Sequence, residues 1–144
     1  MKKLRILFVL FSLVNTGCEK HEICDQLSGY WEIKAVSGGI MGWSEIRDFD
    51  IVNFNSSNKY YVYYNDTLIQ GGTYKIERQE PENYGKTRIE FLLKLNETFD
   101  NHPFANFYSE FPLDIFFNGT DTLTLSQANV DDGFNYHFLR KTDR

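Results

Sequence analysis

The chain has 144 residues, enough for one domain and too few for two of ordinary size. Its 15 Lys and Arg stand against 20 Asp and Glu, a formal net charge of −5, so charge alone does not draw it to nucleic acid or to anionic lipid.

Met1-Lys2-Lys3-Leu4-Arg5 is a short basic segment, and Ile6 to Val14 is apolar apart from Ser12. Asn15-Thr16-Gly17-Cys18 follows. A basic start, a short apolar run and small residues before a cut make the layout of a secretory signal. The run falls short of the ~20 apolar residues that a spanning helix needs. Val14-Asn15-Thr16-Gly17-Cys18 resembles the lipobox of bacterial lipoproteins, in which the cysteine is acylated and becomes the first residue after cleavage. Thr16 and Gly17 fit that pattern, whereas Asn15 stands where an aliphatic residue is usual. The resemblance implies a signal peptide over 1–17, a palmitate-type anchor on Cys18 and a place in the cell envelope, at the outer membrane. An ordinary signal peptide followed by a chance cysteine is the alternative.

Cleavage after Gly17 would remove Lys2, Lys3 and Arg5 and no acid, taking the formal charge from −5 to −8. Attachment to a membrane would then rest on acyl chains, of which two or more hold stably. With Cys18 acylated, Cys24 has no partner within the chain. A disulfide framework is thereby excluded, and the remaining 127 residues must bury a core. Cys24 reads as a small apolar residue on an N-terminal segment. Residues 18–27 read as a polar tether with one helical turn carrying Ile23 and Leu27. Glu19-Lys20-His21-Glu22 resembles the charged tethers of surface-displayed lipoproteins.

From Leu27 onward the dominant signal is alternation of apolar and polar residues in short runs rich in β-branched and aromatic side chains. Eight strands are predicted: Gly29–Ser37, Phe49–Asn55, Lys59–Asn65, Leu68–Glu77, Thr87–Leu95, Leu113–Asn118, Thr122–Ser126 and Asn135–Arg140. Turn-forming clusters separate them, among them Asn65-Asp66, Asn118-Gly119 and Asp131-Asp132-Gly133. Strands in close succession with short turns predict an antiparallel meander, and a meander of eight removes its free edges by closing into an up-and-down barrel. Trp31, Ile33 and Ala35 fall on one face of the first strand. Ile89, Phe91, Leu93 and Leu95 oppose Arg88, Glu90 and Lys94, and Tyr136 and Phe138 alternate with His137 and Leu139. The run Tyr60-Tyr61-Val62-Tyr63-Tyr64 is aromatic on both faces, which tyrosine tolerates because its ring packs while its hydroxyl reaches water.

Gly29-Tyr30-Trp31 at the start of the first strand, with Arg140 after Tyr136-x-Phe138 on the last, resembles the lipocalins. The chain is more closely similar to the small lipocalin-like lipoproteins of Bacteroidetes-type bacteria. Gly72-Thr73-Tyr74 and Asp132-Gly133 match the same group, and the likeness covers residues 28–141. It implies an eight-stranded barrel in which Arg140 stacks over Trp31, and a mouth that often holds a small apolar molecule. Some members are scaffolds only, so function does not follow from the fold.

No constellation in the sequence carries catalysis. His21, His102 and His137 have no metal-ligand spacing, and neither a nucleophile elbow nor a phosphate loop is present. An enzyme is therefore not expected, nor is a metal or other cofactor. Two connections are unusually apolar. Residues 38–43 carry Ile40, Met41 and Trp43, and residues 99–111 carry five aromatic rings, Phe104, Phe107 and Tyr108 among them. Apolar loops must pack or bind. Ile40, Met41, Trp43, Phe104, Phe107 and Tyr108 thus read either as a lid and rim around an apolar ligand or as a plug that fills the barrel. The 22 aromatic residues beyond position 17 could fill so narrow an interior. The leading expectation is an envelope protein that binds a small apolar or amphipathic molecule in the barrel mouth. Its rival is a protein-interaction module, an inhibitor or assembly subunit, built on a side-chain-filled barrel.

Overall fold

The structure, a computed structural model, describes residues 19–38, 49–79, 90–100, 107, 112–128, 130 and 133–142. Residues 1–17 and Cys18 lie outside them. Eight strands form a closed antiparallel barrel, as the alternation predicted: β1 Gly29–Ser37, β2 Ile51–Phe54, β3 Lys59–Tyr64, β4 Thr67–Gln79, β5 Glu90–Asp100, β6 Leu113–Asn118, β7 Thr122–Gln127 and β8 Asn135–Lys141. Each strand pairs with the next, and β8 returns to β1 over seven residue pairs from Tyr30↔Lys141 to Ser37↔Asn135. The β3–β4 hairpin turns on Asn65 and Asp66, whose φ values of 48° and 59° are both left-handed. Two such residues give a turn whose twist matches its strands, and Asn and Asp bear that conformation best among residues with a Cβ.

Two strands depart from the simple reading. In β1 the register shifts between Ile33 and Ala35, so the inward series runs Trp31, Ile33, Val36 rather than Trp31, Ile33, Ala35. One extra residue moves every later side chain to the other face, and Ala35 pairs with outward His137 while Val36 pairs with buried Tyr136. β5 runs to Asp100, so Phe99, expected in the following connection, is a strand residue facing Gly71. The predicted first residues of β5, 87–89, lie outside the described residues.

Residues 19–27 form a helix, α1, rather than a tether with a single turn. Its apolar face closes one end of the barrel: Leu27 is fully buried, and Ile23 and Cys24 pack against the core. Burial pushes the Cys24 thiol pKa up, as suits a residue that packs rather than reacts. Above α1 lies Trp31, with no exposed surface, its indole N–H donating to the Leu27 carbonyl at 2.7 Å. The Arg140 guanidinium sits 4.2 Å from the Trp31 ring centroid, the cation–π stack that the motif implied. Its Nη1, Nη2 and Nε donate to the carbonyls of Ser28, Gln26 and Thr120, tying α1, β8 and the β6–β7 turn together. Gly29 is required beside it. Its φ is +130°, and a Cβ there would stand 2.8 Å from Arg140 Nη1.

The core carries a pH dependence. Burial raises the Tyr136 pKa to about 12, and burial, then the charge of Cys24, raises that of Tyr74 to about 12. Below pH 10 folded and unfolded chains both hold these phenol protons. As pH rises towards 12 the unfolded chain releases them and the folded chain does not, so stability falls. Denaturant melts at about pH 9 and pH 11 are expected to show that loss, and Tyr136→Phe is expected to reduce it. An unchanged slope in the variant would remove Tyr136 from the account.

Candidate functional site

The up-and-down topology gathers the β1–β2, β3–β4, β5–β6 and β7–β8 connections at the end of the barrel opposite α1. Ile40, Met41, Trp43, Phe104 and Tyr108 of the expected lid lie outside the described residues. Phe107 is described, and it sits inside the barrel with no exposed surface. Its ring lies 5.3 Å from Phe49, 5.7 Å from Tyr136, 6.0 Å from Phe138, 6.2 Å from Tyr60 and 6.4 Å from Phe54, each edge-on. These are the separations and tilts that aromatic pairs favour. A residue from the β5–β6 connection thus packs at the centre of an interior built mainly from strands.

A polar pair also faces inward. Gln70 on β4, opposite Val62, is fully buried, and its Nε2 donates to Glu97 Oε2 on β5 at 2.8 Å. Among the described residues no hydrogen-bond donor reaches its Oε1. The reading of the sequence passed over Gln70, although it shares the parity of Tyr74 and Ile76 and so belonged to the inward series.

On the outward face, His137 shares hydrogen bonds with Ser37 Oγ at 2.9 Å through Nε2 and with Thr124 Oγ1 at 3.2 Å through Nδ1. The order hydroxyl, imidazole, hydroxyl follows the cross-strand pairs Ala35↔His137 and Thr124↔His137. It is a polar ladder on the open surface of three neighbouring strands. His21, on α1, hydrogen-bonds Asp25. Among the described residues no three His, Cys, Asp or Glu side chains are gathered to hold a metal ion.

A groove lies along the seam between β5 and β6. β6 pairs with β7 along all six residues, Leu113 to Asn118. With β5, among the described residues, it pairs at Leu92↔Asp114 and Leu93↔Leu113. Phe91 and Ile115, next in register, are not paired among the described residues, and positions 88 and 89, opposite 118 and 117, lie outside them. The groove has a volume of about 740 Å³ and lies between the two strands and α1. Phe91, Ile115 and Phe117, which pack inward on the core, form part of its lining, with Ile23 of α1 and the outward Phe116, 40% exposed. Glu19, Glu90 and Asp114 supply carboxylates to it, and Gln26, Gly119 and Thr120 complete the lining. Arg78 stands 3.6 Å from Glu19. The sequence carried one sign of this place: Ile115-Phe116-Phe117 is apolar on both faces of a strand whose outer face should be wet.

Comparison with protein-family models, with curated proteins and with solved structures finds no match.

Proposed function

We propose that this chain is the precursor of a lipid-anchored cell-envelope protein of the lipocalin-like kind, and that it acts as a protein-interaction module through its outer surface. The observation that carries the reading is Phe107. A barrel of eight strands has an interior just wide enough for side chains, and Phe107 occupies its centre against five other rings. The surface then has to do the work, and it displays Leu68, Phe116, Phe134 and Leu139 as large exposed apolar side chains. Gly29-x-Trp31 under Arg140 supports the family assignment. The lipobox-like Val14–Cys18 supports the anchor.

Gln70 favours a second reading, the small-molecule carrier. A fully buried amide whose Oε1 accepts no hydrogen bond among the described residues suits an amphipathic ligand with a donor group at its head. Titration with long-chain fatty acids and alkylamines separates the two. A filled barrel gives no saturable change in tryptophan fluorescence or in melting temperature. A saturable response, abolished in Gln70→Leu, would replace the interaction module with the carrier.

Anchoring is tested separately. Cys18→Ser is expected to abolish labelling by a fatty-acid probe and to release the protein from membranes. Undiminished labelling in that variant would sink the assignment of Cys18.

A further inference from the structure

We propose that the groove between α1, β5 and β6 is the seat of a fatty-acyl chain, one carried on Cys18 of the same molecule. The inference rests on the reading of Cys18 as the acylation site and says where one of its acyl chains lies. Covalent connectivity selects this occupant. Glu19, the first described residue, lines the groove, and Cys18 precedes it in the sequence. Consecutive Cα atoms stand about 3.8 Å apart, so an acyl chain on Cys18 begins within one residue of the groove. Attachment that close gives the chain an effective concentration on the order of millimolar, well above that of a free lipid or peptide in solution. Weak affinity for free fatty acid therefore suffices for occupancy once the chain is attached. In the acylated protein the groove is already filled, and added fatty acid reads the barrel interior alone.

The wall supplies the matching chemistry. Ile23 of α1, Phe91 of β5 and Ile115, Phe116 and Phe117 of β6 contribute apolar surface to one concavity. A concave apolar surface shared by three elements differs from a lone exposed leucine, and it marks a place that takes a ligand. Its volume of about 740 Å³ lies within the roughly 300–1,000 Å³ of small-molecule pockets. An acyl chain asks for no charge and no hydrogen bond from the wall, so Glu19, Glu90 and Asp114 keep the partners they have. Gly119 and Thr120 of the β6–β7 turn share the lining with Gln26, which places the groove at the α1 end of the barrel. One chain held there, with the remaining chains in the bilayer, turns that end towards the membrane and the mouth away from it.

The test expresses the full chain in cells fed a palmitate analogue with a diazirine in the middle of its acyl chain. The acylated protein is purified and placed in phosphatidylethanolamine–phosphatidylglycerol vesicles. Light converts the diazirine to a carbene that inserts into whatever lies beside it, and mass spectrometry of the peptides locates the adduct. Adducts within one molecule are expected at Ile23, Phe91 and residues 115–117. Phe116→Glu is expected to lower them at least about fivefold, because a buried carboxylate opposes an apolar guest, whereas Leu68→Glu at the mouth end leaves them within about twofold. Both side chains are exposed, so neither change removes a core residue. Probe on Cys18 with adducts confined to bilayer lipid would overturn the groove and keep the anchor. Adducts that join two copies of the chain would overturn occupancy within one molecule. Equal losses in the two variants would reduce the effect to added charge and overturn the site. No probe on Cys18, in cells whose other acylated proteins carry it, overturns the anchor and this proposal together.

Discussion

Trp31→Ala is expected to cost about 3–5 kcal/mol of stability, the range for truncating a large buried aromatic, and to lower the melting temperature by roughly 10 °C or more. The loss has three sources. The indole has no exposed surface, so its removal leaves a cavity under β1 and β8 that the neighbouring Phe117 ring, 6.1 Å away, can only partly fill. Its N–H no longer satisfies the Leu27 carbonyl, which is the last residue of α1. Arg140 loses the ring it stacks on, a contact worth about 1–2 kcal/mol where it is shielded from water. Arg140 still has three carbonyl acceptors, so Arg140→Lys offers a milder comparison: a lysine keeps the charge but cannot reach Ser28, Gln26 and Thr120 together. Denaturant melts of both variants check the assignment. A loss below about 1 kcal/mol for Trp31→Ala would mean that α1 does not close the barrel over this residue.

The barrel was legible because two local signals agreed along nearly the whole chain. Period-two alternation gave strand existence, and Asn-Asp and Asn-Gly pairs gave the turns, so β1 and β6 carry the predicted bounds and the others differ by a few residues at their ends. Legibility failed where one residue changed the phase. The bulge at Lys34 has no composition signal of its own, because Ile33, Ala35 and Val36 are all acceptable on either face; only pairing with His137 and Tyr136 decides between them. The burial of α1 was hidden for a different reason. Glu19-Lys20-His21-Glu22 is polar all round, and the apolar face is just Ile23, Cys24 and Leu27 at the far end, too short for a periodicity to show. The groove beside β5 and β6 depends on how α1 packs against the two strands, a tertiary relation that neither strand's sequence contains. Gln70 was missed because a polar residue between Ile69 and Gly71 reads as outward-facing, when the parity of Tyr74 and Ile76 puts it inside.

Phe107→Ala is the change that bears most directly on how this barrel works, and it is expected to cost about 3–5 kcal/mol. Phe107 is held by rings from β2, β3 and β8, and by Phe49 just before β2, so truncation leaves a void bounded by edges of Phe49, Phe54, Tyr60, Tyr136 and Phe138. Four of those side chains stand on a closed sheet, which resists collapse into the space, and the cost should lie near the upper part of the range. An apolar void of that kind stays dry and accepts a small aromatic guest. Benzene or indole is therefore expected to raise the melting temperature of Phe107→Ala with concentration, since a ligand that binds only the folded state stabilises it, while leaving the native chain unaffected. The paired result separates a plug from a gate. A plug gives a large loss of stability together with guest rescue confined to the variant. A gate gives a small loss, below about 1 kcal/mol, together with guest binding by the native chain, because a ring that swings aside costs little to remove. That second pattern would return the barrel interior to the small-molecule reading and place Phe107 at its entrance.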